Sequence, residues 1–143
     1  MTEDEQRAAV IEAARGWLKT PFHDGARMKG VGVDCAHLLA AAYEDAGLIP
    51  HQTITPYSPQ WMLHNDAALF EDHVKRFAHE IDGPPKPGDV VLFKIGRLYA
   101  HGAIVVDWPG SIIHAFKSFG FVAETPADEA DLRARERRFF SIW

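Results

Sequence analysis

The chain changes texture once. In its first half the apolar positions recur at helical spacing. Beyond the turn-forming stretch Asp82-Gly83-Pro84-Pro85-Lys86-Pro87-Gly88-Asp89 they gather into short runs of strand type. Ala9, Val10, Ala13, Ala14, Trp17 and Leu18 share one helical face. The Thr2/Glu5 pair predicts a boxed helix start, Gly16 is a weak point and Pro21 is the stop. Residues 20–32 read as loop. A second helix is predicted from Cys35 to Ala46, with Asp34 as N-cap and Gly47 as the stop. Ser58-Pro59 opens a third helix over 59–79, with Trp61, Leu69, Phe70, Val74 and Phe77 on its apolar face.

In the second half, Val90 to Lys94, His101 to Asp107 and Ser111 to Phe116 are predicted strands, and Phe119 to Ala123 is a candidate fourth. Trp108-Pro109-Gly110 makes the hairpin between the second and third. Thr125-Pro126 begins a brief helix over Asp128 to Leu132, and Arg138 to Trp143 closes the chain as a strand. Helices come first and strands after, with no repeat and no linker between. This predicts an α+β fold in a single domain spanning 1–143.

Composition narrows the function. The chain has 143 residues, 47% of them hydrophobic, and a net charge of −5, which argues against a general nucleic-acid binder. The basic cluster Arg133, Arg135, Arg137 and Arg138 is interleaved with Asp131 and Glu136 and reads as a solvated helix end, with nucleic-acid binding as the alternative. One cysteine excludes an internal disulfide and a multi-cysteine zinc site. Met1 to Gln6 lacks the apolar core of a signal peptide, and no apolar run approaches the ~20 residues that cross a bilayer. The expectation is cytoplasmic synthesis, no membrane partner, and delivery by another route for any extracellular role.

The single cysteine carries the chemistry. Cys35 follows a glycine-containing loop and stands at a predicted helix start, where unpaired N–H groups favour an anion and lower a thiol's pKa. The same residue also reads as a small buried hydrophobe. A nucleophilic thiolate needs a base and a group to orient that base. His101 begins one predicted strand and His114 lies on the next, so a short hairpin can set them side by side. His23 is a candidate cleft residue, whereas His37 reads as structural or peripheral. Arg27 and Lys29 could meet a carboxylate-rich substrate, and Trp61, Trp108 and Tyr99 could wall a cleft. Solvation and core packing are the competing readings for these.

Three stretches in order carry a family resemblance: Thr20-Pro21-Phe22; Val33-Asp34-Cys35-Ala36-His37-Leu38-Leu39; and Pro87-Gly88-Asp89-Val90-Val91-Leu92-Phe93 with His101-Gly102-Ala103-Ile104-Val105 and Ile112-Ile113-His114-Ala115. With them the chain resembles the NlpC/p-sixty family of papain-like cell-wall cysteine peptidases. The stretch from Gly25 to Cys35 is similar to the phage-tail and gene-transfer-particle branch. The resemblance implies a nucleophile at a helix start packed on a small antiparallel sheet. It implies Cys35 as nucleophile, His101 as base and His114 as orienting residue, with no metal and no cofactor. Phe22 stands where many members carry Tyr, and Ala36-His37 where they carry Ser-Gly. Of the three groups that recognise the free amine of the stem peptide, only Asp34 remains. Phe22, His23, Asp34 and Ala36 are thus the implied substrate-side residues, with γ-D-glutamyl specificity in doubt.

The implied function is hydrolysis of amide bonds in peptidoglycan stem peptides, with a phage or prophage tail as carrier and tail proteins as partners. A thiol amidase or acyltransferase on another substrate would use the same three residues. A catalytically silent tail-assembly module would keep the fold without needing them. A Cys/His/His zinc site is a further alternative that no motif here favours. The segment 50–82 is longer than a minimal member needs.

Overall fold

The computed structural model describes residues 1–54, 68–129 and 132–143. Helix α1 (Glu3–Arg15) starts at the expected box: the Thr2 hydroxyl accepts from the N–H of Glu5, whose carboxylate in turn accepts from the Thr2 backbone. It stops at Gly16, earlier than the apolar spacing suggests, and Trp17 and Leu18 pack from the turn that follows. Strands β1 (Arg27–Met28) and β2 (Gly32–Val33) pair within the glycine-rich loop. Helix α2 (Cys35–Asp45) follows, capped by Asp34. It is apolar on nearly every side because it is the central buried helix: of Cys35 to Tyr43, only His37 is not buried.

The expected third helix is observed as α3 (Ala68–Lys75). Its predicted first part, with Trp61, lies outside the described residues, and its predicted end is instead strand β3 (His79–Ile81). Then come β4 (Val90–Ile95), β5 (Leu98–Asp107), β6 (Ser111–Phe116), β7 (Phe121–Thr125) and β8 (Arg137–Ser141). β5 begins three residues before His101, because Leu98 and Tyr99 pair with Ile95 and Lys94. The brief helix expected over 128–132 falls partly outside the described residues, and residues 132–134 form a turn. One antiparallel sheet collects six strands in the order β3-β8-β4-β5-β6-β7.

The three helices of the described residues all pack on β5. On this face Val90, Leu92, Ile104, Ile113 and Ala115 meet Leu38, Leu39 and Phe70. The opposite face carries Val91, Phe93, Ala103, Val105 and Ile112, covered by Ala127 and Leu132 from the chain after β7. The alternation along each strand therefore serves two cores, which explains why β4 and β5 read as continuous apolar runs.

Buried polar groups lock the helices to the sheet. Arg7 on α1 pairs with Asp89 at 3.0 Å and donates to the Pro87 carbonyl at 2.9 Å. The Tyr43 hydroxyl at the far end of α2 donates to the Gly88 carbonyl. The Pro87-Gly88-Asp89 turn is thus a structural anchor, with Gly88 held at φ +90°. Gly102 on β5 permits the close approach of α2. A Cβ there would stand 2.8 Å from Leu39, 2.9 Å from Leu92 and 3.0 Å from Phe70.

Candidate active site

Asp34 presents Cys35 at the first turn of α2. Its Oδ1 accepts from the His37 N–H at 2.9 Å and from His37 Nδ1 at 2.7 Å, and Oδ2 accepts from the Gly25 N–H at 2.8 Å. Burial opposes the Asp34 charge, but these hydrogen bonds outweigh it and hold the carboxyl below its ordinary pKa. Asp34 is 0% exposed. Its carboxylate therefore braces the loop and the helix start, closed off from solvent.

The Cys35 thiol reaches the main chain of β5 from the helix side. Its Sγ lies 3.8 Å from the Ala100 carbonyl oxygen, and the N–H of Gly102 also points at it. The thiol thus touches backbone on both sides of His101. The sequence expectation of a thiolate favoured by the helix start is corrected. Burial pushes the thiol pKa far up, the Asp34 charge adds to this, and the N–H groups of Gly102, Ala36 and Cys35 lower it only in part. The resting group is a neutral thiol.

A β-bulge shapes the strand opposite. β5 pairs Phe93 with His101 but Lys94 with Tyr99, leaving Ala100 as the extra residue. Gly102 faces α2, so the His101 side chain emerges on the other face, beside Phe93 and Phe116, with ring centroids 6.0 and 4.6 Å away. Its Nε2 lies 2.9 Å from His114 Nδ1, and His114 Nε2 lies 2.8 Å from the Thr125 hydroxyl. That hydroxyl also reaches the Pro126 carbonyl at 3.1 Å. Burial, then the neighbouring His114 and Arg135, push the His101 pKa well below its ordinary value. Burial lowers His114 to about 4. Both imidazoles are neutral at pH 7.

The structure therefore brings His101 and His114 together and sets Cys35 against the strand that carries His101. No hydrogen bond joins Sγ to either imidazole. Phe22 is half-buried on the helix-side core, and its N–H donates to the Gly120 carbonyl. His23 is exposed, with its Cβ against Gly32. Ala36 lines a narrow apolar pocket with Leu39, Phe70, Val74 and the buried His73. Arg27 pairs with Glu44, and the Lys29 ammonium sits 5.3 Å from the Trp17 ring. Trp108 packs edge-on against Phe139. Tyr99 donates to Glu136.

Thr125 is the residue that sequence reasoning missed. It reads there as a helix start, whereas it ends β7 in register with Ile112 of β6. The alternation Ala123, Thr125 beside a predicted strand was the available signal, but only the register of the 117–120 turn turns it into a position beside His114. Among the described residues, no group of three or more His, Cys, Asp or Glu side chains could hold a metal ion. No described helix is long and apolar enough to cross a membrane.

No protein-family model and no curated protein matches the sequence. Solved structures do match. NlpC1 from Trichomonas vaginalis superposes with a TM-score of 0.68 at 17% identity over 98% of this chain. The peptidoglycan hydrolase RipB from Mycobacterium tuberculosis gives 0.62 at 18% identity over 97%. RipD from the same organism, described as a non-catalytic NlpC/p60 domain protein adapted to peptidoglycan binding, gives 0.62 at 14% identity over 96%. The chain has the NlpC/P60 fold. It spans 44% of the length of the NlpC1 chain, 65% of RipB and 98% of RipD.

Proposed function

We propose that this protein is an NlpC/P60 cysteine hydrolase that cleaves amide bonds in peptidoglycan stem peptides. The observation that carries the reading is the His101–His114 hydrogen bond, 2.9 Å long, on the strand against which the Cys35 thiol is packed. The shared fold with RipB supports the substrate class.

In the proposed cycle, Sγ leaves the Ala100 carbonyl, swings past the part of β5 before Ile104, which is not paired with β6, and gives its proton to Nδ1 of His101, the ring nitrogen not engaged by His114. The thiolate attacks the amide carbonyl carbon. The N–H of Cys35, at the start of α2, holds the resulting oxyanion. Protonated His101 then returns the proton to the leaving amine as the C–N bond breaks. Water, deprotonated by His101, cleaves the thioester and restores the thiol. His114 keeps the ring of His101 at its angle throughout. With Phe22 and Ala36 at the substrate side and Asp34 buried, the bond cleaved is one whose recognition does not need the usual hydroxyls. Carriage to the wall in a phage or phage-like tail is the delivery route we propose.

A second reading is favoured by the buried neutral thiol, which bonds to a carbonyl and not to an imidazole: a peptidoglycan-binding module of the kind described for RipD. Digestion of purified peptidoglycan and soluble stem peptides, followed by mass spectrometry beside Cys35→Ala, separates the two. New fragments that vanish in the variant support hydrolysis, and their masses name the bond. Co-sedimentation with peptidoglycan without fragments supports the binding module.

A further inference from the structure

We propose that Thr125 is a positioning residue that sets the tautomer of the base, an inference that rests on the hydrolase reading. Two neutral imidazoles in a row can order their protons in either of two directions. In one, His101 carries its proton on Nε2 and presents the Nδ1 lone pair. In the other, Nδ1 carries the proton and cannot take one from a thiol. Nothing within the histidine pair chooses between them.

The end of the chain of hydrogen bonds does. The Pro126 carbonyl can only accept, and it lies 3.1 Å from the Thr125 hydroxyl. The hydroxyl proton therefore points at Pro126, because turning it to His114 would set two oxygen lone pairs against each other. Thr125 Oγ1 is then an acceptor, so His114 Nε2, 2.8 Å away, is the donor. Neutral His114 accepts at Nδ1, and His101 Nε2 donates to it over 2.9 Å. That leaves the lone pair of His101 on Nδ1. The register of β6 with β7 places Thr125 beside His114 on the same face, and the β-branched side chain holds few rotamers.

The test compares Thr125→Val, which keeps the shape and removes the hydroxyl, with Thr125→Ser, which restores it. Side-chain nitrogen chemical shifts of His101 and His114 are read at pH 7.5 in the Cys35→Ala background, where no turnover is needed. The expected parent has His101 protonated on Nε2. Thr125→Val gives a mixture of tautomers and Thr125→Ser returns to the parent. With Cys35 intact, Thr125→Val is expected to lower kcat by about 10- to 100-fold with KM within about twofold, and Thr125→Ser to recover it. A parent already protonated on Nδ1, or tautomers unchanged in a folded Thr125→Val, overturns the proposal. Absence of turnover in the wild type overturns the hydrolase reading instead and leaves the nitrogen shifts to decide the tautomer.

Discussion

His114 and His73 are both buried imidazoles, and they are held in opposite ways. His114 is 0% exposed and has a hydrogen-bond partner at each nitrogen. His73 on α3 is 6% exposed and, among the described residues, has a partner at neither. Burial lowers the pKa of both. Burial therefore makes an imidazole neutral, but only hydrogen bonds give it a direction, and direction is what a catalytic relay needs. His73 shares an apolar pocket with Phe70, Val74 and Ala36. An unsatisfied buried group of this kind costs about 1–3 kcal/mol.

The largest effect should come from removing the directed histidine. His114→Leu frees His101 to rotate and to take either tautomer. Turnover of stem peptides should fall by about 10³–10⁴-fold, the size seen when the orienting member of a triad fails to fix its histidine. A variant within tenfold of wild type, measured by the same fragment assay, would remove His114 from the relay.

Acid should separate the pair next. His114 titrates at about 4 in the folded protein against an ordinary value near 6.5. Between those values the unfolded chain binds more protons, so stability is present above pH 6.5 and is lost as pH falls towards 4. The full loss from this one group is roughly 3 kcal/mol, and His101, also pushed downward, adds to it. Urea melts from pH 7 to pH 4 should show the decline. The slope should flatten in folded His114→Leu, and a slope unchanged by that substitution would assign the decline elsewhere.

The smallest effect should have the opposite sign. His73→Leu replaces two unpartnered nitrogens with apolar surface in an apolar pocket and should raise stability by about 1 kcal/mol at pH 7, and by more in acid. Turnover should stay at the wild-type level. A destabilised His73→Leu would mean that the imidazole has a partner in solution, and the contrast with His114 would shrink.

The sequence made the strands of the six-stranded sheet legible where the apolar runs are continuous, as in Val90 to Phe93 and His101 to Val105. It also made the two capped helix starts legible, since Thr2/Glu5 and Asp34 act within one turn of their own position. It did not disclose β3, because His79-Glu80-Ile81 is short and partly exposed and pairs with residues 139–141. The pairing of His101 with His114 could be read from hairpin geometry. The state of Cys35 could not. The helix start is a local property, whereas the burial that overrides it depends on β5 lying across the thiol. The absence of a Cys35–His101 hydrogen bond has the same origin: a bulge at Ala100 decides which way each residue of β5 faces, and a bulge leaves no mark in a run of small residues.

Gly102 has a consequence for how this site can vary. The gap between α2 and β5 is gauged by a missing side chain, since even one methyl group would press on Leu39, Leu92 and Phe70 together. Cys35 rides on that same helix, so the reach of the thiol is tied to the volume of three buried residues. Related chains that enlarge position 102 should shrink one of those three in step, and a chain that does only one of the two should drift out of chemical range while keeping its fold.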